Sequence, residues 1–130
     1  MICCAVADVA SDDQPLLYRL RGFLDADVTL AAGSDAPFGG YDPWASMAAA
    51  VSRGTRDGAC IGEDESLTPE QALDLYLRAP ESLSERRRIT LGSAADLCLL
   101  DRPWAHAREA LSSAYVRATI IQGELQGDTA

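Results

Sequence analysis

The chain has 130 residues, enough for one ordinary domain, and its 48% hydrophobic and 24% charged content is that of a folding chain rather than a disordered one. A formal net charge of −9 excludes nucleic acid and anionic membrane surfaces as partners, because both repel an acidic body. No apolar run approaches the roughly 20 residues that span a bilayer, and no basic residue precedes a signal-length apolar stretch, so the default location is the cytoplasm.

Residues 1–10 read equally as an apolar strand or as an irregular lead-in. Ser11-Asp12-Asp13-Gln14-Pro15 is a helix-start cluster. It predicts a helix over about 15–26 whose buried stripe is Leu16, Leu17, Leu20, Phe23 and Leu24, with Arg19, Arg21 and Asp25 off that stripe. Val28-Thr29-Leu30-Ala31-Ala32 follows, a short and almost wholly apolar run that suits a strand over 28–33 buried on both faces of a parallel sheet. A helix joined by a short loop to such a strand is the second half of a βαβ unit, and the expected fold class is α/β. Gly33 lets the chain turn at the strand's end, Asp35 stands just beyond, and Pro37 blocks continuation. Because chemistry in α/β folds gathers at the carboxyl ends of parallel strands, Asp35 is the first site candidate. The alternative reading is that Asp35 only caps a turn or a helix.

Phe38-Gly39-Gly40-Tyr41 then forms a flexible lip. Asp42 with Pro43 is an N-cap followed by Pro at the first helical position, predicting a helix over 43–53 with Trp44, Met47, Ala48 and Val51 inward and an end near Gly54. Arg56-Asp57-Gly58 and Gly62-Glu63-Asp64-Glu65 belong to a surface loop. Thr68-Pro69-Glu70-Gln71 is a capping box flanked by Leu67 and Ala72 as a staple. It opens a helix over 68–78 that buries Leu73, Tyr76 and Leu77 and stops at Pro80. The charged stretch 81–90, with Arg86-Arg87-Arg88, reads as a solvated loop pairing with nearby carboxylates. A strand is expected at 95–100, a short helix from about Trp104 to Leu111, and a hairpin after 115 turning at Gln122-Gly123. The four cysteines, Cys3, Cys4, Cys60 and Cys98, include no C-x-x-C pair and read as buried thiols in a reducing compartment. His106 is the sole histidine, so one chain cannot assemble a zinc site from several histidines.

Several of these stretches resemble a known family in order. Tyr18-Arg19-Leu20-Arg21-Gly22-Phe23-Leu24-Asp25, Gly33-Ser34-Asp35-Ala36-Pro37 and Asp42-Pro43 resemble the C-terminal third of metal-dependent amidohydrolases, in the branch called amidohydrolase family 3, which includes deformylases of N-substituted formamides. Leu67 to Leu73 resembles that family's helix ahead of its final sheet. Leu91 to Asp101 is similar to the return into a small β-sandwich, and Thr119-Ile120-Ile121-Gln122-Gly123 is similar to the closing hairpin. The resemblance implies that Asp35 is the aspartate after the last barrel strand, which binds or faces the metal centre and carries a proton from the attacking water to the leaving amine. The family's His-x-His pair, its bridging carboxylate or carboxylated Lys, and its later histidines have no counterpart here. A full (β/α)8 barrel takes about 250 residues.

What the resemblance implies is therefore a partial (β/α)8 barrel, its last strand and flanking helices, plus part of the C-terminal β-sandwich. Residues 1–14 are an unmatched lead-in of the kind truncation creates, 15–90 the barrel's end and 91–130 the sandwich segment. The implied function is that of a fragment of a metal-dependent hydrolase acting on non-peptide carbon–nitrogen bonds such as amides or formamides, inactive as a single chain. No cofactor is expected in the isolated chain, and a zinc-like divalent metal with Asp35 as a ligand only in a completed barrel. The expected partner is a companion chain carrying the missing strands, or a second copy through self-association. The alternative is a non-catalytic α/β assembly or interaction module.

Overall fold

The two strongest helix-start signals organise the fold. In the computed structural model, which describes residues 9–55, 58–79 and 81–127, Asp42 caps the helix Pro43–Ser52 (α2) by accepting from the Trp44 amide at 2.8 Å. The helix Pro69–Asp74 (α3) opens on the expected capping box. Thr68 Oγ1 accepts from the Gln71 amide at 3.2 Å, and Gln71 Oε1 accepts from the Thr68 amide at 2.9 Å. Leu67 ahead of the cap and Ala72 behind it are both buried in one cluster with Trp44, Met47, Ala50 and Leu75, so the staple forms. That cluster is the core. Leu20 and Leu24 from the helix Leu20–Asp25 (α1) pack on it from one side. Leu100, Trp104, Leu111 and Val116 reach it from the C-terminal third.

The C-terminal third is a three-stranded antiparallel sheet of Leu97–Leu100 (β3), Val116–Ile121 (β4) and Glu124–Gln126 (β5), in the order β3-β4-β5. Leu97 pairs with Ile120, Leu99 with Ala118, and Ile120 with Leu125. The expected strand and hairpin are both present, with Gln122 and Gly123 at positive φ in the turn. The short helix is also present, but spans only Trp104–Ala107 (α4).

Four smaller expectations are corrected first. Residues 15–26 form a 3-10 turn at Gln14–Leu16 and then α1, separated by Tyr18 at φ 51°; Leu16 and Phe23 of the expected buried stripe are exposed. The helix opened by Thr68 closes at Asp74, and buries Ala72 with Leu75 beyond its end, while Leu73 and Tyr76 pack at the core's margin. The charged stretch is not a loop throughout, because Ser82–Arg86 (β2) pairs antiparallel with Arg78–Ala79 (β1). The ion pairs expected of its arginines do form, Arg86 with Asp74 and Arg87 with Asp96, each at 2.5 Å. Cys60 and Cys98 are exposed thiols. Cys98 faces outward because strand alternation places it opposite Thr119 on the sheet face turned from the core.

The largest correction concerns Val28–Ala32. The run is extended but joins no sheet, and Val28 is 44% exposed. Its one backbone hydrogen bond outside its own neighbourhood runs from the Ala32 amide to the Leu75 carbonyl at 3.0 Å. A strand is a pairing, not a conformation, and no described residues lie alongside this run to complete one. Residues 1–8, which include Cys3 and Cys4, the helix stop at Pro80, and Arg56-Asp57 lie outside the described residues. No helix among the described residues is long and apolar enough to cross a membrane.

Candidate functional site

Asp35 stands where the extended run ends. The turn there is closed by the backbone, not by the Asp35 side chain: the amides of Phe38 and Gly39 donate to the Asp35 carbonyl at 2.9 and 3.0 Å. Ser34 Oγ accepts from the Ala36 amide at 3.3 Å, and the Ala36–Pro37 peptide is cis. Asp35 itself has φ 53°, a left-handed conformation that aspartate tolerates better than most residues. Gly39 is required at its position, since a Cβ there would fall 2.2 Å from the Ser34 carbonyl oxygen. The next helix is capped by Asp42, whose other carboxylate oxygen accepts from Ser113 Oγ at 2.8 Å. Turn and cap thus each have their partners, and the exposed Asp35 carboxylate makes no hydrogen bond or ion pair among the described residues. The Asp35 side chain caps neither the turn nor the helix; its part in the turn is played by its carbonyl and its left-handed backbone.

Asp35 lines a cavity of about 320 Å³. Its walls are largely apolar, with Leu30 and Ala32 from the extended run, Met47 and Ala50 from α2, and Leu75 after α3. One wall carries a charge that sequence reasoning did not single out. Arg53 is wholly buried and follows α2 in the left-handed conformation, at φ 57°, where Gly54 was the expected terminator. Its guanidinium donates to four carbonyls: Nε to Ile61 at 2.9 Å and Gly62 at 3.2 Å, Nη1 to Tyr18 at 3.1 Å, and Nη2 to Leu17 at 3.0 Å. One side chain thereby ties the lead into α1, the end of α2 and the Ile61–Gly62 loop together, and these bonds offset the roughly 1–2 kcal/mol cost of its backbone conformation. Burial pulls the guanidinium below its ordinary pKa, opposed first by the negative charge of Glu65. Glu65 is occupied by the Gly22 amide at 2.8 Å and by Arg19 at 3.5 Å. A sequence signal for Arg53 is absent: an Arg before a Gly at a helix end reads as a last-turn cation.

The residues around Asp35 do not fit a metal. Among the described residues no group of three or more His, Cys, Asp or Glu side chains is placed to hold one. His106 is an exposed residue of α4. A second cavity, of about 330 Å³, is lined by Glu70, Asp74, Arg78 and Arg86, and both arginines pair with the Asp74 carboxylate.

Residues 5–125 match the model of the amidohydrolase family, and the chain is a member of that family, in its family-3 branch. The chain is 36% identical over 115 residues to the N-substituted formamide deformylase of Arthrobacter pascens, a match covering 85% of this chain and 21% of that protein. The chain therefore spans about a fifth of the length of this relative. No solved structure matches it.

Proposed function

We propose that this chain supplies the end of the barrel of a hydrolase acting on carbon–nitrogen bonds other than peptide bonds, with Asp35 as the group that moves the proton. The observation that carries the reading is the Asp35 carboxylate, left without a partner at the mouth of a cavity by a turn that satisfies everything around it. Family membership and the likeness to a deformylase of N-substituted formamides support a formamide or related amide as substrate.

In this reading the oxygen of a water adds to the carbonyl carbon while Asp35 takes one of the water's protons. The proton then passes to the amine nitrogen as the C–N bond breaks, giving the free amine and, from a formamide, formic acid, which ionises to formate. Proton transfer is the role proposed for this chain's own residues. The barrel strands that would stand beside Val28–Ala32 come from other residues, in a companion chain or a longer polypeptide. The unpaired backbone of that run supports such a completion.

The test is a chimera in which this chain replaces the matched stretch of the Arthrobacter pascens deformylase, with and without Asp35→Asn. Asparagine keeps the shape and cannot take up the proton. Release of formate from N-benzylformamide is expected to fall about 100- to 10,000-fold with an unchanged circular dichroism spectrum. Equal rates for the two chimeras would remove Asp35 from the mechanism and leave the non-catalytic assembly module as the reading.

A further inference from the structure

The second cavity, of about 330 Å³, is built by α1, the extended run, α3 and the β1–β2 pair, and Asp35 does not line it. Leu24, Leu30 and Leu75 give it apolar surface, and Asp74, Arg78 and Arg86 give it charge. Asp74 is shared between two guanidiniums, its Oδ2 pairing with Arg78 Nη2 and its Oδ1 with Arg86 Nε at 2.5 Å. The other lining carboxylate, Glu70, is already engaged, accepting from Trp104 Nε1 at 3.1 Å and pairing with Arg108 at 2.9 Å. Three arginines thus meet two carboxylates, so the cluster keeps one positive charge in a chain whose net charge is −9. Donors are left over as well. Arg78 Nε is buried with no acceptor among the described residues, and Arg78 Nη1 reaches the Leu83 carbonyl only at 3.5 Å. The Nη groups of Arg86 form no hydrogen bond with a described residue, and that side chain is 46% exposed. Buried donors are almost always paired, so an orphan on a cavity-lining arginine points to an acceptor from outside the chain.

We propose that this cavity binds a small carboxylate carried on an apolar group, its oxygens accepting from Arg86 and Arg78 and its apolar part lying against Leu24, Leu30 and Leu75. The planar fork of a guanidinium matches the two oxygens of a carboxylate. Asp74 opposes an incoming anion least when both of its oxygens are paired, as they are here. A volume of 330 Å³ stands at the small end of ligand cavities, which run from about 300 to 1,000 Å³, and it suits an acid the size of benzoate. The leucines separate such an acid from inorganic anions, which gain nothing from apolar walls. Every group named belongs to the described residues, so the site needs no completed barrel and no part of the Asp35 chemistry.

The test is a nuclear magnetic resonance titration of the full chain with sodium benzoate. Benzamide, with the same shape and no charge, and acetate, with the charge and no ring, are the controls. Leu30 and Leu75 also wall the Asp35 cavity, so the Leu24 methyls, which belong to this cavity alone, are the distinguishing signal. Benzoate is expected to shift the Leu24 methyls and the Arg78 and Arg86 side-chain signals saturably. Benzamide should leave the arginines in place, and acetate should bind about 10-fold or more weakly than benzoate, the worth of burying the ring. Arg86→Gln should weaken benzoate binding roughly 10- to 100-fold, the range of a hydrogen bond to a charged group. Arg86→Lys, which keeps the charge without the fork, should fall between Arg86→Gln and the parent, and carries the test should Arg86→Gln unfold. Arg87→Gln, whose parent guanidinium pairs with Asp96 outside the cavity, and Asp35→Asn should both bind benzoate as the parent does. The proposal is overturned by no saturable response, by an equal response to benzamide, by parental affinity in a folded Arg86 variant, or by shifts of the same size at the surface residues Arg21 and Arg102.

Discussion

Replacing Arg53 by Met removes the guanidinium while keeping a side chain of similar length and the same backbone demand. Of its four carbonyl acceptors, Tyr18 and Gly62 keep other donors, the amides of Leu20 at 2.7 Å and Glu65 at 2.9 Å. The carbonyls of Leu17 and Ile61 have no other donor among the described residues. A buried acceptor left unpaired costs about 1–3 kcal/mol, and the desolvation relieved by removing the charge recovers part of it. The net loss is about 3–5 kcal/mol once the severed link between α1, α2 and the Ile61–Gly62 loop is included. With an unfolding entropy of about 2.1 cal/mol/K per residue, a chain of 130 residues should melt roughly 11–18 °C lower. Thermal denaturation followed by circular dichroism reads this directly. A fall of less than about 3 °C, which corresponds to under 1 kcal/mol, would refute Arg53 as the tie between these segments.

Gly39→Ala should destabilise by about 1–3 kcal/mol through overpacking and move the Asp35 loop amides, whereas Gly40→Ala, with nothing within 4 Å of the added Cβ, should do neither; comparing the two melts and spectra checks this. Thr68→Ala should cost about 1 kcal/mol by removing half of the capping box, measured by urea denaturation. Asp96 accepts from the Gln122 amide at 2.8 Å and pairs with Arg87, and these two contacts, the amide first, hold its carboxyl below the ordinary value of 3.8. Its contribution to the hairpin is therefore complete above that value and lost as the pH falls through the lower folded one. A carboxyl titration of Asp96 with a midpoint at or above 3.8 would contradict the assignment.

What was legible in the sequence was what local chemistry decides. Asp42-Pro43 and Thr68-Pro69-Glu70-Gln71 declare their helices because the cap's hydrogen bonds lie within four residues of chain. Gln122-Gly123 declares the hairpin because both residues accept positive φ. Val28–Ala32 was misread as a paired strand for the opposite reason: apolar character selects an extended, buried run, but pairing depends on neighbours that the described residues lack. Arg53 carries no local signal because its four acceptors lie outside its helix, in the Ile61–Gly62 loop and, 35 and 36 residues back, at Tyr18 and Leu17. The position of Asp35 at the end of the run was legible. The freedom of its carboxylate was not, since that follows from Ser34 and the Asp35 carbonyl closing the turn in its place.

The central claim is that these residues work as the end of a C–N hydrolase barrel. Formate release from N-benzylformamide, measured for the chain alone and for the folded chimera that carries it in the Arthrobacter pascens deformylase, tests it most directly. The account predicts no release by the chain alone and release by the chimera. Release by the chain alone, or a folded chimera that releases none, would contradict it.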